Sequence, residues 1–318
     1  MPRPSQNAVF RPELAVLAYA YALAASQRGF IGLNVFPVFE VGLQASVYPV
    51  IPAEAFLKLY ETKRTARSSY GRSDFEFDDG EYFCRENGWE ELIDDSERKL
   101  YKRFFDAEIV ATQRVIDVIL RKQEKRIADK ATDTAKLPHG AATKKWNDPA
   151  ASMRDDAKRV IKLMRDTIGL TPDCCCLSWD DFQNALVAPE LKDYLKYTNT
   201  YLTDTIEVQK RVLAQYLGIG MVHVGNAIFD SAKKGQKLSP ADIWPTGKAA
   251  FCVTGSNAMD LKEPCLGRTF LWTEDAPENL VTESYREEQS RSDVIRARQN
   301  TDECYVFEGA GYVLTGLQ

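Results

Sequence analysis

The chain has 318 residues, 44% of them apolar and 27% charged, so it can bury a sizeable core and disorder is excluded as the default. Its net charge of −5 argues against the basic face of a dedicated nucleic-acid binder. Seven cysteines, odd in number, three of them consecutive and none in a Cys-x-x-Cys pair, exclude a secreted disulfide framework and point to reduced thiols.

Residues 1–13 read as an arm. Leu14 to Ala25 is the one targeting suspect, but its dozen or so apolar residues fall short of the ~20 a spanning helix needs. Glu13 sits directly before it, so a short packed helix to about Gln27 is expected. Ser26 to Val50 is an apolar ribbon broken by Gly29, Gly32, Pro37, Gly42 and Pro49. It has no obvious local partner, and a neighbouring copy of the chain would cover it.

From Val47 to Phe83 the pattern is a long β-excursion, with Asp79-Gly80 as a turn signal. Its tip is basic, with Lys63, Arg64, Arg67 and Arg72. Its stem is acidic, with Asp74, Glu76, Asp78, Asp79 and Glu81. Two readings stand: a solvated hairpin, or a projecting arm whose charges meet a neighbour's.

Asp94 to about Thr132 contains no glycine or proline, and Asp94 with Glu97 fits a capping box. Apolar residues recur at helical spacing (Leu100, Phe104, Ala107, Ala111, Val115, Val118). A second row holds Phe105, Ile109, Ile116, Ile119 and Ile127. A continuous helix of ~38 residues would be ~57 Å long. A compact chain of this length has a radius of gyration near ~20 Å. The molecule is therefore expected to be elongated or flat.

Residues 136–150 form the best boundary loop. Helices are expected at Ser152–Ile168 with Gly169 as the stop, from Asp180 to about Leu186, after Pro189, and at Thr205–Leu217. Strands are expected at Cys174–Trp179, around Met221–Asp230, at Ala249–Gly255 and within 281–317. The class is α+β, one large domain or two small ones, with no internal repeat.

Little chemistry assembles. Consecutive strand residues face opposite ways, so Cys174, Cys175 and Cys176 cannot all converge on one metal, and small buried apolar residues are the plainer reading. His223 sits in an apolar strand and His139 in a loop. Asp180-Asp181 reads as a helix cap. No nucleophile, phosphate-loop or zinc-protease motif occurs. No catalytic, cofactor or metal residue is assigned.

In this order, the segments resemble the major capsid proteins of tailed bacteriophages with the Hong Kong 97-type fold. "GFIGLNVFPVFEV" resembles that family's passage from arm to extended loop, and "RTARSSYGR" sits where the loop's tip falls. "CRENGWEELIDDSER" resembles the lead into its spine helix. "KWNDPAASMRDDAKRVIKLMRDTIGLTPDCCCLSWDDFQNAL" resembles the step from peripheral to axial domain. "VGNAIFDSAKKGQKLSPADIWP" and "SDVIRARQNTDECYVFEGAGYVL" resemble a later axial loop and the closing strands.

The resemblance implies an N-terminal arm (1–34), an extended β loop (35–92), a peripheral domain with the spine helix (93–152 and 284–318) and an axial domain (153–283). It implies a structural protein, not an enzyme. Hexamers and pentamers of it would build an icosahedral shell around double-stranded DNA, contacted weakly and without sequence specificity. It would be assembled in the host cytoplasm and kept in the virion, with no membrane and no cofactor. A portal, a separate scaffolding protein and a decoration protein are the implied partners. On this reading Arg64, Arg67, Arg72, Asp74, Glu76, Asp78 and Asp79 make intersubunit contacts. The family's lysine–asparagine crosslink finds no matching pair. An encapsulin-like nanocompartment shell would use the same fold. A soluble enzyme with a metal at Cys174 to Cys176 is the alternative of another class.

Overall fold

A computed structural model describes residues 9–10, 29–50, 57–65, 67, 69–72, 77–198, 205–255, 261, 264–276 and 279–318. The helix expected at Leu14–Gln27, and Asp74 and Glu76, lie outside the described residues.

In chain order the elements are β1 (Val9–Phe10), α1 (Gly32–Val35), β2 (Val38–Val41), β3 (Ala45–Val50), β4 (Asp78–Phe83) and β5 (Arg85–Asp94). Then come α2 (Asp95–Tyr101), α3 (Ala107–Ala131), β6 (His139–Ala141), α4 (Met153–Ile168), β7 (Cys174–Ser178), α5 (Trp179–Val187), α6 (Pro189–Thr198) and α7 (Ile206–Leu217). The chain closes with β8 (Met221–Gly225), β9 (Ile228–Asp230), β10 (Pro240–Asp242), β11 (Lys248–Cys252), β12 (Gly267–Trp272), β13 (Val281–Glu287), β14 (Ser292–Tyr305) and β15 (Gly311–Thr315).

The first sheet has six strands, ordered β1-β13-β14-β12-β2, with β5 on the other edge of β14. Thr301 of β14 pairs with both Arg85 of β5 and Leu271 of β12, so those strands flank it on opposite sides. The second sheet is β6-β15-β11-β7-β8. The closing segment 284–318 therefore divides: β14 belongs to the first sheet and β15 to the second. His139, expected in a loop, starts β6, which runs parallel to β15.

The helix expected from Asp94 to Thr132 is two helices. Lys102 closes α2, and Asp106 opens α3 by accepting a hydrogen bond from the Glu108 amide at 2.9 Å. A side-chain cap competes with continued helix at that point, which needs no glycine or proline. At 25 residues, α3 is roughly 38 Å long. Asp94 does cap α2, but onto the Ser96 amide.

Helix α3 joins the two layers. Its first turns bury Ala111, Val115, Ile116 and Ile119 against Ile295 and Ala297 of the first sheet and Leu280 beside it. Its last turns bury Ile127, Ala128 and Ala131 against one face of the second sheet. The other face of that sheet carries α4–α7, whose apolar sides supply Val160, Met164, Phe182, Leu191 and Leu213. Gly169 ends α4 in the left-handed region at φ 74°, as expected.

The apolar ribbon finds much of its cover inside the chain. Val35 and Phe36 are fully buried, and β2 adds a parallel strand to β12. Gly32 and Ile31 are held from a distance: the Glu124 carboxylate of α3 accepts from the Ile31 and Gly32 amides, both at 2.8 Å, and from the Trp244 indole at 2.7 Å. Helix α1 has no side-chain cap of its own, so α3 supplies it.

The Asp180-Asp181 cap is corrected: Ser178 caps α5 by accepting from the Asp181 amide. Asp181 instead accepts from the Ser178 hydroxyl and from the Gly247 amide. His223 lies on the edge strand β8, where burial lowers its pKa.

Candidate intersubunit surface

Strands β3 and β4 form a two-stranded antiparallel ladder, Ala45 opposite Phe83 through Val50 opposite Asp78. The connection 51–77 leaves from its open end. An aromatic stack anchors the ladder to the first sheet. Tyr82 lies on Phe270 with centroids 4.6 Å apart and an interplanar angle of 10°, and Tyr48 packs on the same ring at 5.0 Å. The Tyr48 hydroxyl donates to the Tyr305 carbonyl at 2.8 Å, and burial raises its pKa.

Asp79-Gly80 is not a turn. Gly80 sits mid-strand opposite Tyr48, and a Cβ there would meet the Tyr48 ring at 2.4 Å. Glycine makes the slot for the tyrosine. Gly80→Ala is expected to destabilise the ladder by about 1–3 kcal/mol through overpacking, read as faster proteolysis within 51–77.

The sequence-predicted charges separate along this excursion. Arg64, Arg67 and Arg72 lie exposed on the connection; Asp78 and Asp79 lie exposed at the start of β4, opposite Val50 and Pro49. Arg64 rests over the Tyr70 ring at 4.7 Å. Arg67 has φ 68°, a conformation arginine rarely adopts. Among the described residues, Arg67, Arg72, Asp78 and Asp79 form no ion pair.

Apolar side chains accompany them, and sequence reasoning missed these. Leu59 is 100% exposed and Tyr70 72%; Leu57, Tyr60, Phe77 and Phe83 are also open. A second open apolar group sits where α2 meets α3. Leu100 and Phe104, expected in the buried stripe, are 66% and 81% exposed. Strand β5 pairs only with β14 among the described strands, so its second edge is open beside Trp89 and Leu92. A groove of about 430 Å³ lies over the paired β5–β14 ladder, between Trp89 and the Arg296–Arg298 stretch.

Open strand edges and exposed aromatics are what a subunit presents to its neighbours. Among the described residues no helix is long and apolar enough to cross a membrane.

No protein-family model matches this sequence, and no curated protein sequence matches it. Solved structures do. A phage-related protein from Bordetella bronchiseptica RB50 superposes with a TM-score of 0.72 at 21% identity, over 98% of this chain and 99% of that one. A virus-like particle from Pyrococcus furiosus gives 0.59 at 9% identity, over 96% and 98%. The mature capsid of bacteriophage PhiM1 gives 0.52 at 11% identity, over 87% and 85%.

The chain has the fold of phage capsid proteins. The mixed α+β architecture expected from sequence matches these capsid-like folds over nearly the whole chain.

Proposed function

We propose that this chain is a major capsid protein of the Hong Kong 97 type. Many copies of it, as hexamers and pentamers, build the icosahedral head of a tailed phage around double-stranded DNA. The observation that carries this reading is the fold of a putative prophage capsid protein, matched over 97% of the chain, combined with exposed apolar and charged side chains on the described part of the excursion. Its role is structural rather than catalytic. The acidic balance suits a container, because a lining that bound phosphates tightly would hinder genome packing and release.

In this reading residues 1–34 are the arm, 35–92 the extended loop, 93–152 with most of 284–318 the peripheral domain and 153–283 the axial domain. Strand β15 is hydrogen-bonded into the β7–β11 sheet, so 311–318 go with the axial part. Arg64, Arg67 and Arg72 at the tip meet acidic groups of a neighbour, and Asp74, Glu76, Asp78 and Asp79 on the stem meet basic ones. A portal protein, a separate scaffolding protein and a decoration protein are its further partners, and assembly takes place in the host cytoplasm before the virion forms.

The protein expressed alone, and again with a scaffolding protein encoded beside it, is expected to give megadalton particles by sedimentation and electron microscopy. A stable monomer under both conditions would refute the proposal. Arg67→Glu is expected to leave the subunit folded and reduce particle yield steeply, since a like-charge contact costs several kcal/mol at each copy. Normal shells from that variant would remove Arg67 from the interface.

A further inference from the structure

The three consecutive cysteines divide between the faces of the second sheet. Cys175 points toward α4–α7 and joins Phe251 and Leu177 in their core. Cys174 and Cys176 point the other way, toward Ile127, Ala128 and Leu266. Strand β11 runs antiparallel beside β7 with Cys252 directly opposite Cys174, so the third thiol on that face comes from a strand far along the chain. The three Sγ atoms lie within 4.8 Å of one another. Their residues are 2%, 1% and 0% exposed.

We propose that Cys174, Cys176 and Cys252 form a three-sulfur site for a thiophilic d¹⁰ metal ion, with Cu(I) as the best-fitting occupant. Metal–sulfur bonds near ~2.3 Å place three sulfurs ~4.0 Å apart around a trigonal centre, so the side chains need to close by less than about 1 Å. Sulfur ligands select soft ions over magnesium, calcium or manganese. Structural zinc takes a fourth ligand. Among the described residues no imidazole or carboxylate joins the group. The surroundings are buried and apolar (Ala250, Leu266, Val313), with no opening for a coordinated water. Three sulfurs in a dry pocket suit a three-coordinate monovalent ion.

Each thiol that ligates loses its proton to solvent, and copper enters and stays as Cu(I), so no electron moves. The ion would tie β7 to β11 beneath the C-terminal end of α3. Sequence reasoning rejected a metal here because neighbouring strand residues diverge. That holds for Cys175, and Cys252 replaces it.

The test uses the full chain, reduced and oxygen-free, titrated both folded and during refolding with Cu(I) held by a bicinchoninate competitor. The wild type is expected to withdraw one Cu(I) per chain. Cys252→Ala and Cys176→Ala should each weaken uptake roughly a hundredfold or more. Cys175→Ala, on the same strand but the opposite face, should retain it. X-ray absorption on the loaded wild type needs no variant to fold and should read three sulfur neighbours. Failure to withdraw Cu(I) in either titration, equal loss in Cys175→Ala, two sulfurs, or zinc taken up in preference to Cu(I) would each overturn the assignment. None of these outcomes bears on shell formation, which particle yield reads separately.

Discussion

Glu124→Ala should lower the stability of the unassembled subunit by about 3–5 kcal/mol, because it strands three buried donors at once, each worth ~1–3 kcal/mol. Those donors are the Ile31 and Gly32 amides and the Trp244 indole. They come from the N-terminal segment and from the β10–β11 connection, so one carboxylate on α3 holds two remote pieces of chain. Glu124→Gln keeps the shape but turns an amide NH₂ toward a donor. A loss of about 1–3 kcal/mol is expected.

Denaturant unfolding measures both, and proteolysis within 29–36 should quicken before global unfolding does. A neutral Glu124→Gln would show that the carboxylate is not the organising group. The pH dependence has a definite sign. Burial raises the Glu124 pKa despite its three donors. The native state therefore binds the proton more tightly than the unfolded chain. Between the ordinary carboxylate value and the raised native one, this group's contribution falls as pH rises. The wild-type advantage over Glu124→Gln should be larger near the lower end of that window than at neutral pH.

Arg126→Ala is the second large effect. Arg126 of α3 grips Glu303 of β14 in a fork, Nε to Oε2 at 2.7 Å and the second arm to Oε1 at 2.8 Å. It also reaches Thr301. Glu303 is 3% exposed, and Lys130 donates to its backbone carbonyl. Removing the arginine leaves a buried carboxylate without its counter-charge, which typically costs about 3–5 kcal/mol. Arg126 is itself a quarter exposed, so the lower end of that range is expected.

A buried pair need not stabilise relative to apolar packing, only relative to a broken pair. Arg126→Met combined with Glu303→Leu should therefore recover most of what Arg126→Ala loses. If the double variant is as unstable as the single one, packing and not the charge accounts for the loss.

The parts legible from sequence are those set by neighbours within a few residues. Helix α4 was readable from its apolar spacing, and its end from Gly169, where a left-handed residue must stop the helix. The strand at Cys174–Ser178 was readable from a short apolar run between turn signals. The charge split of the excursion was also plain. Errors arose where a local signal met a remote partner. Asp79-Gly80 looks like a turn, but Gly80 is a slot for the Tyr48 ring. Leu100 and Phe104 fit the helical stripe yet face outward, because Asp106 starts a new helix and the first sheet meets α2 through ion pairs, Asp95 with Arg286 and Arg98 with Asp293, while it buries only the apolar side of α3.

The amino-acid order by itself determined that this protein is an α+β chain with a charge-split excursion, and its resemblance pointed to the capsid fold. Periodicity, caps and composition act over one or two turns and need nothing else. Tertiary structure alone decided which residues meet: Glu124 with Ile31 and Gly32, Arg126 with Glu303, Cys252 with Cys174 and Cys176. The first two meetings span 92 and 177 positions, and the third joins strands β7 and β11, 76 and 78 positions apart at these cysteines. They depend on strand register and on the path of α3 across both sheets, which no local pattern encodes.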